Sequence, residues 1–453
     1  MENTHTQNKM GYLPVPGLIL KMSLPMMVSM LVLATYNVVD SIFVSRISEN
    51  ALTAVSLAFP FQMLITAVSV GTAAGANSLI ARKLGAQDQD GADRAATNAM
   101  FLSVASGLFF FVFFLLLTPT LVNIFKPSAE IADYAVTYLS WVGIPAIFVC
   151  IQVMEEKILQ STGNTVHSML IQLTGAIFNL ILDPILIFGL FGFPALGVAG
   201  AAIATVIGQI AGLVLGFFLL FNKKCLIKVK LKGFRPCIAT IKEIYVVGIP
   251  SIFLQMVGSI MNVGMNKILI SFTPTAVSVF GVYFKLQSFI FMPVFGLNSG
   301  TMPIIGYNFG ARNRKRIMEA LKYGCLYAFC IMMIGLALFQ FCSPFMLNLF
   351  DASPAMLEIG VPALKTISLF FPMAALCIMF SSMFQAIGNG RLAFFMSALR
   401  QLIILLPVAY ILSRLFGLDA VWFAFPIAEF FALIFAAIML SRVYNSQIRY
   451  MEG

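Results

Sequence analysis

Apolar residues run through this chain in long blocks that short polar stretches separate. A helix needs about twenty consecutive, mostly apolar residues to cross the hydrocarbon core of a bilayer. Windows of that length predict twelve membrane-spanning helices, which begin at about residues 17, 51, 95, 131, 165, 195, 243, 276, 317, 358, 392 and 420. The pattern therefore predicts an all-α integral membrane protein.

Composition supports a multi-pass membrane protein. Of the 453 residues, 60% are hydrophobic and 10% are charged. A soluble domain is about half apolar and about a quarter charged. The chain is far outside that range, so a soluble enzyme or binding module is excluded.

The positive charges indicate how the chain crosses the membrane. The formal net charge of +10 could suggest a nucleic-acid partner, but the cations concentrate in short loops between predicted spans. With a cytoplasmic N-terminus, most of them lie on the cytoplasmic side: Lys9, Arg82, Lys83, Arg94, Lys157, Lys223, Lys224, Lys228, Lys230, Lys232, Arg235, Lys242, Arg312, Arg314, Lys315, Arg316, Arg391, Arg442 and Arg449. The opposite loops contain little more than Arg46, Lys126, Lys365 and Arg414. The positive-inside rule predicts that both termini are cytoplasmic, and we expect no nucleic-acid partner.

Residues that could bind a metal or catalyse a reaction are sparse. The seven cysteines form no CxxC pair and lie mostly in apolar runs, so we interpret them as packing residues. The two histidines, His5 and His167, stand alone. Because no metal-ligand cluster, nucleophile–base pair or phosphate loop is evident, we expect neither an enzyme nor a cofactor.

An internal repeat appears when the second half is laid on the first with a shift of about 225 residues. "SLPMM" at residue 23 then meets "GIPSI" at 248, and "QSTGN" at 160 meets "QAIGN" at 385. Each half contains six predicted spans, so the two repeats have the same orientation in the membrane. We predict two pseudo-symmetric six-helix lobes around a central cavity, an architecture typical of transporters.

The repeat also gives the predicted domain bounds. A cytoplasmic tail covers residues 1–16, an N-terminal lobe with spans one to six covers 17–221, and a basic cytoplasmic linker covers 222–242. A C-terminal lobe with spans seven to twelve covers 243–442, and a second cytoplasmic tail covers 443–453. We interpret the basic linker as a topology anchor near anionic lipid.

Two acids within predicted spans are candidates for function, because burying a charge in a membrane is costly. Asp40 and Asp183 lie at similar depths in spans one and five. Asn37 and Asn179 share a helix face with one acid each, and Tyr134 and Tyr138 reach a comparable depth in span four. Two carboxyls with such neighbours could hold a small cation or share a proton. Alternatively, the acids face different sides and each satisfies a local helix backbone.

Pro184 directly follows the second acid, in "NLILDPILIFG" at residues 179–189. A proline inside a helix frees the carbonyl four residues earlier and favours a kink. We therefore interpret Pro184 as a candidate hinge. The repeat places Pro407 at the equivalent position, so the kink is expected in both halves.

The second half has different charges. Met265 and Leu406 occupy the positions equivalent to Asp40 and Asp183, whereas Lys285, Arg400 and Glu429 are additional charged residues in its spans. These three either pair structurally or line the substrate cavity. Near the inner end of span four, Glu155, Glu156 and Lys157 are expected to be solvated or paired along the helix, with a role of Glu156 in the cavity or a gate as the alternative.

Several stretches together resemble the multidrug and toxic compound extrusion (MATE) family. They are "SLPMM" and Asp40 in span one, "RKLGAQD" after span two, "QSTGN" after span four, "NLILDPILIFG" in span five, "GVAGAAIAT" at the start of span six and "YNFGARN" after span eight. The resemblance covers essentially the whole chain. It is closest to the bacterial branch whose cation site lies in the N-terminal lobe.

This resemblance implies a secondary active antiporter that exports cationic or amphipathic drugs or toxic metabolites in exchange for H+ or Na+ by rocking of two lobes. It assigns the cation site to Asp40, Asn179 and Asp183, with Tyr138 as a fourth contributor. Asn37 and Tyr134 are auxiliary candidates because of their spacing and depth. A threonine often found there has no secure counterpart, because span six offers Ala201 and Ala202 before Thr205. Span seven shows Gln255 and span ten only Glu358 at its outer edge, so a second-lobe cation site is not expected.

The partners and location follow from the same resemblance. We expect small organic cations or amphipathic drugs as substrates, membrane lipids as surroundings, a monomer, and the bacterial cytoplasmic (inner) membrane as the location. A lipid-linked oligosaccharide flippase of the same superfamily is the alternative, since Lys285 and Arg400 could bind a pyrophosphate.

Overall fold

The computed structural model describes residues 8–222, 225–230 and 233–451, and these residues contain helices and no strand. Three short segments are not α-helical in their geometry: a 3-10 turn at Leu190–Gly192 and π-helical turns at Leu399–Ile404 and Tyr444–Ile448. The α-helices are α1 Lys9–Tyr12, α2 Val15–Ser45, α3 Glu49–Gly85, α4 Gln89–Asn123, α5 Ala129–Gly143, α6 Ala146–Ser161, α7 Thr165–Phe188, α8 Val198–Leu220, α9 Ile238–Leu269, α10 Pro274–Gly310, α11 Arg314–Phe341, α12 Ser343–Asn348, α13 Pro354–Ser368, α14 Phe371–Ala386, α15 Gly390–Ala398, α16 Leu405–Leu415, α17 Leu418–Val421 and α18 Ala424–Val443.

These helices supply the predicted number of membrane spans. Ten segments of the described chain are each long and apolar enough to cross a bilayer. Two further spans are bent pairs, α5 with α6 at 44° and α13 with α14 at 48°. The all-α integral membrane fold with twelve transmembrane helices is therefore confirmed.

The two bent spans occupy matching places in the repeat, as the fourth span of each half. Pro145 directly precedes α6, and Pro372 lies in the first turn of α14. Proline fits a first helical turn, where its missing N–H group leaves no hydrogen bond unmade, but it breaks a continuous helix. The sequence thus places the same bend in both halves.

Two compact units can be distinguished by their internal packing. The first unit comprises Val28–Ile252, and the second comprises residues up to Met27 together with those from Phe253 onward. The boundaries fall inside α2 and α9, rather than at the basic linker between the predicted lobes. The predicted bounds of the two lobes and of the cytoplasmic tails remain a prediction.

Close helix contacts through glycine organise the first unit. α7 and α8 approach so closely that a Cβ atom at Gly208 would lie 2.5 Å from the backbone oxygen of Gly175. A side chain at Gly212 would likewise collide with Gln152 of α6, whose Nε2 atom would be 2.7 Å from the added Cβ. Glycine therefore lets the polar side chains of α6 and α7 lie directly against the backbone of α8.

The basic linker is docked onto the start of α4 within the first unit. The backbone N–H groups of Lys228 and Lys230 donate to Asp93 Oδ1 at 2.9 Å and to Thr97 Oγ1 at 3.1 Å. The N–H group of Cys237 donates to Asn98 Oδ1 at 2.9 Å. Three further linker lysines, Lys223, Lys224 and Lys232, lie outside the described residues. Polar side chains of α4 thus satisfy backbone donors that an extended linker would otherwise leave to solvent.

Candidate functional site

The carboxyl groups of Asp40 on α2 and Asp183 on α7 come within hydrogen-bonding reach of each other. Asp183 is fully buried, and the Oδ1 atom of Asp40 is buried with no hydrogen-bond partner. In the part of the first unit that the structure describes, no lysine, arginine or histidine forms a salt bridge with either acid. Two bare carboxylates this close would repel each other strongly in a low-dielectric site. The pair is therefore suited to hold a proton or a cation between its oxygens.

Asn179 supports the second acid from one helical turn away. With its amide nitrogen turned towards Asp183, it donates to Asp183 Oδ2 at 2.8 Å, and its amide oxygen accepts from Thr205 Oγ1 at 3.1 Å. Asn179 is 3% exposed, so both of its polar ends need partners. Thr205 of α8 thus fixes the amide that orients the carboxyl of Asp183.

Two tyrosines and a glutamine surround the acids. Tyr138 of α5 is buried and accepts a hydrogen bond from Gln62 Nε2 at 3.2 Å. Tyr36, one turn before Asp40 on α2, forms a side-chain hydrogen bond with Thr205. Both phenols interact electrostatically with Asp40 and with Asp183. Phenol and amide oxygens are neutral and can solvate a bound cation. A cationic side chain in their place would compete with that cation.

Apolar packing holds these side chains at the edge of a buried cluster in the first unit. The cluster includes Tyr138, Leu139, Ile187 and Ala201 from the helices that carry the site. The i, i+4 spacing of Asn179 and Asp183 puts both on the face of α7 that meets α8. The polar groups consequently lie on one side of a well-packed apolar core, where they are shielded from water.

The structure brings together four predicted residues: Asp40, Tyr138, Asn179 and Asp183. Of the auxiliary candidates, the side chain of Asn37 is exposed, and Tyr134 packs against the apolar cluster that includes Tyr138. α7 continues through Pro184 to Phe188, so the hinge remains a prediction. The roles of all of these residues in coupling also remain predictions.

Three residues of the site were not predicted: Tyr36, Gln62 and Thr205. Two alanines precede Thr205 in "GAAIAT", so the sequence gives the site threonine no secure counterpart, yet the Thr205 hydroxyl contacts Asn179. Its place could have been found by requiring a partner for both ends of the buried Asn179 amide. Tyr36 follows from its helical spacing with Asp40, whereas nothing in the sequence pattern indicates Gln62.

The three charged candidates of the second unit separate into a pair and a single cation. Arg400 Nη1 donates to Glu429 Oε1 at 3.1 Å, and Glu429 is 3% exposed. Arg400 lies in the π-helical turn Leu399–Ile404, and the Cys377 thiol also hydrogen-bonds to Glu429. Lys285 is exposed, with its Nζ atom 5.8 Å from the ring centroid of Phe350. Of the two sequence interpretations, the structure supports structural pairing for Arg400 and Glu429.

The acids near the inner end of span four are not solvated. Glu155 is fully buried and Glu156 is 7% exposed. Gln152 Nε2 donates to Glu156 Oε1 at 3.3 Å, and Lys157 donates to Gln160 Oε1 at 2.9 Å. The expectation of solvation or pairing along the helix is therefore wrong for Glu155, which is buried without a hydrogen-bond partner. Glu156 does pair along the helix, with Gln152 four residues earlier. α8 covers this end of α6 because the glycines of α8 have no side chain and let the two helices pack closely.

Comparison with known proteins identifies the family. The MatE family model matches residues 25–185 and again residues 250–411, once in each half of the repeat. The chain therefore belongs to the MATE family of transporters.

Curated relatives cover nearly the same length. The multidrug export protein MepA of Staphylococcus haemolyticus (strain JCSC1435) is 29% identical over 411 residues, which cover 90% of this chain and 89% of MepA. MepA of Staphylococcus aureus (strain NCTC 8325 / PS 47) is 28% identical over 418 residues, covering 92% of this chain and 91% of MepA. Both are described as multidrug export proteins.

Solved structures show the same fold. A MOP-superfamily transporter from Pyrococcus furiosus superposes with a TM-score of 0.92 at 28% identity, covering 99% of this chain and 100% of that chain. A multidrug-resistance MATE transporter in an outward-facing conformation also gives a TM-score of 0.92, at 28% identity with 98% and 100% coverage. A MATE transporter solved in a bent conformation gives 0.90, again at 28% identity and with 98% and 100% coverage.

Proposed function

We propose that this chain is a secondary active antiporter that exports cationic or amphipathic drugs or toxic metabolites in exchange for H+ or Na+. The family and the MepA relatives support the export of drugs. The observation that carries the coupling is the buried contact between Asp40 and Asp183, which has no cationic side chain paired with it among the described residues. A carboxyl pair of this kind binds one positive charge and releases it when its surroundings change.

The cycle that fits this site alternates between two occupants. From the outside, a proton or Na+ binds between Asp40 and Asp183, with Asn179 and Tyr138 as neutral neighbours. The two lobes then rock, the cation leaves to the cytoplasm, and drug is taken up for export. Each elementary charge that moves through 100 mV supplies about 2.3 kcal/mol, so one charge sustains a gradient of roughly fortyfold and two charges roughly two-thousandfold.

Location and assembly belong to the same proposal. The chain is a multi-pass membrane protein, and we place it as a monomer in the bacterial cytoplasmic (inner) membrane with both termini in the cytoplasm. Small organic cations and amphipathic drugs are its proposed substrates and lipids its surroundings, with H+ or Na+ as the coupling ion and no cofactor.

Purified protein in liposomes tests the coupling. Efflux of a cationic dye is measured with a pH gradient and a Na+ gradient imposed separately, which identifies the coupling ion. Asp40→Asn and Asp183→Asn are expected to abolish gradient-driven efflux, because an amide cannot release a proton and binds cations weakly. Asp133→Asn is the matched control, since that acid is exposed on α5. Unchanged gradient-driven efflux in both site variants would refute the proposed coupling.

The flippase alternative predicts cations free to bind pyrophosphate. Arg400 is instead held by Glu429. A lipid-scrambling assay on the same liposomes separates the two functions, because a flippase would move labelled lipid-linked sugar and an antiporter would not.

A further inference from the structure

A second acidic centre of the first unit lies closer to the α6–α7 turn than the Asp40–Asp183 pair does. Glu155 lies about 9 Å from the end of α6 at Ser161, and Asp183 lies about 27 Å from the start of α7 at Thr165, at 1.5 Å per residue. The short turn at residues 162–164 joins these two helix ends. The two acids are therefore separated by about 18 Å along the helix direction.

Glu155 is buried without a hydrogen-bond donor. The residue is 0% exposed, and both of its carboxyl oxygens lack a partner. Its neighbour Glu156 differs, because Gln152 donates to Glu156 and Lys157 interacts with it electrostatically. The Oε1 atom of Gln152, one turn before Glu155, is also buried without a partner. This place is rich in oxygen acceptors and lacks donors, which is unfavourable for a bare carboxylate.

Glycines of α8 cover this carboxyl directly. A Cβ atom added at Gly216 would overlap Glu155 Oε2, and one added at Gly212 would meet Gln152 and the backbone oxygen of Ile171 at 3.1 Å. No side chain of α8 can therefore donate to Glu155 at this contact. α8 can lie this close to α6 only if the Glu155 carboxyl needs no hydrogen-bond donor.

Charged groups on the surrounding helices have other partners. α6 packs against α3, α4, α7 and α8, and the charged group that interacts with Glu155 among the described residues is Glu156. The sequence of α8 contains no titratable residue. The titratable side chains at the same end of the other helices are engaged elsewhere: Arg82 with Ser78, Lys83 with Asp88, Asp93 with Gln89 and the linker, Arg94 with Asp88 and Cys237, and His167 with Asn164.

We propose that Glu155 is a second proton-binding site of the first unit, and that its protonation allows α8 to close over the inner half of α6. A neutral carboxylic acid can lie against Gly216, whereas an ionised one requires water and separates the two helices. Loss of this proton towards the cytoplasm then opens the inner end of the α6–α8 contact. The role in the transport cycle rests on the proposed antiport mechanism.

Hydrogen–deuterium exchange of the intact protein in detergent tests the site without relying on transport. The backbone amides of α8 at residues 212–220 are followed in buffers from acidic to alkaline pH. For the native protein, corrected for intrinsic exchange rates, we expect protection to fall as pH rises. Glu155→Gln, which is neutral at every pH, should lose this pH-dependent change and stay protected.

Three variants identify the responsible group. Glu156→Gln and Asp183→Asn should keep the pH-dependent change of the native protein, because each leaves Glu155 ionisable. Gly216→Ala should expose residues 212–220 at every pH, since its Cβ pushes against Glu155. The proposal is overturned if Glu155→Gln shows the native pH dependence, or if the native protein shows none.

Transport then measures the consequence for the cycle. Glu155→Gln is expected to keep dye binding but to lose efflux driven by a pH gradient, because α8 can no longer separate from α6. Native efflux from this variant would remove Glu155 from the cycle. Failure of the antiport proposal gives a different result, namely native efflux from Asp40→Asn and Asp183→Asn.

Discussion

The two halves of the chain keep the same contact between their first and fifth spans but use opposite chemistry there. In the first unit, the carboxyls of Asp40 and Asp183 meet. In the second unit, Leu406 replaces the second acid and packs beside Gly264, where an added Cβ would lie 2.7 Å from Leu406 Cδ2. The repeat therefore conserves a place where helices touch, and the side chains at that place decide whether it can bind a cation.

The sixth spans of the two halves, α8 and α18, differ in whether the acids that they contact or carry have a cation paired with them. A shift of about 224 residues places Glu429 where the first half has Thr205. Each of these residues contacts the preceding span of its half, Thr205 through Asn179 and Glu429 through Arg400. Glu429 pairs with a cation of its own chain, whereas Asp40 and Asp183 have no such partner among the described residues. At this contact, the lack of a compensating cation distinguishes Asp40 and Asp183 from the Arg400–Glu429 pair.

The largest expected effect tests this difference in compensation. Arg400→Ala leaves Glu429 buried without its cation and should lower the free energy of unfolding by about 3–5 kcal/mol. Asp183→Asn removes an acid that has no counter-charge and should change stability little. Thermal unfolding in detergent measures both. The double variant Arg400→Met with Glu429→Gln should recover most of the loss, and an equally unstable double variant would contradict simple charge compensation.

A smaller effect is expected from the threonine that fixes Asn179. Thr205→Val removes the hydroxyl but keeps the shape of the side chain. A hydrogen bond of about 0.5–1.5 kcal/mol corresponds to a loss of roughly twofold to tenfold in gradient-driven efflux. The initial rate in proteoliposomes measures it. Thr35→Val is the matched control, because that hydroxyl donates to Leu31 O on an exposed face of α2. Equal losses in the two variants would show that Thr205 has no particular role.

The smallest effect concerns the matching turns that start the third span of each half. Asp88 accepts from Gly91 N–H at 2.8 Å, and Asn313 accepts from Arg316 N–H at 3.0 Å. Each cap should contribute about 1 kcal/mol, so Asp88→Ala and Asn313→Ala are expected to lower stability similarly at neutral pH.

Lowering the pH should reduce the contribution of the Asp88 cap to stability and leave that of the Asn313 cap unchanged. The hydrogen bond from Gly91 and the contact with Lys83 lower the pKa of Asp88. Its contribution is therefore complete above the unfolded-state pKa of about 3.9 and is lost as pH falls through the lower folded-state pKa. The difference in unfolding free energy between native protein and Asp88→Ala should therefore begin to shrink below about pH 4 and disappear only below the lowered folded-state pKa. The Asn313→Ala difference should persist there, since an amide does not titrate in this range.

Most of the fold follows from the sequence because each span is long, apolar and bounded by polar turns. The bends at Pro145 and Pro372 are harder to predict from the sequence. Prolines occur in many spans. α7 continues through Pro184, whereas a new helix begins directly after Pro145. Whether a proline bends a span depends on its neighbours as well as on its own geometry.

For the candidate site, depth and helical spacing place Asp40 and Asp183 at one level and Asn179 on the face of Asp183, and the family resemblance assigns the three to one site. Spacing within one helix cannot show which side chain of another helix lies opposite, which explains why Gln62 was missed. It also explains the error at Glu155. Adjacent acids at a helix end are usually solvated, and only the glycine face of α8 makes this one buried.

The boundaries of the two units have a consequence for synthesis of the chain. Residues up to Met27 belong with those from Phe253 onward, and Ser23 Oγ donates to Leu297 O at 3.1 Å. The part of α2 up to Met27 must therefore wait for partners that the ribosome adds only after the whole first unit. The first unit is complete only once Ile252 has been added. A gene cut at the basic linker should yield two fragments that each lack part of a compact unit and that assemble only when they are produced together.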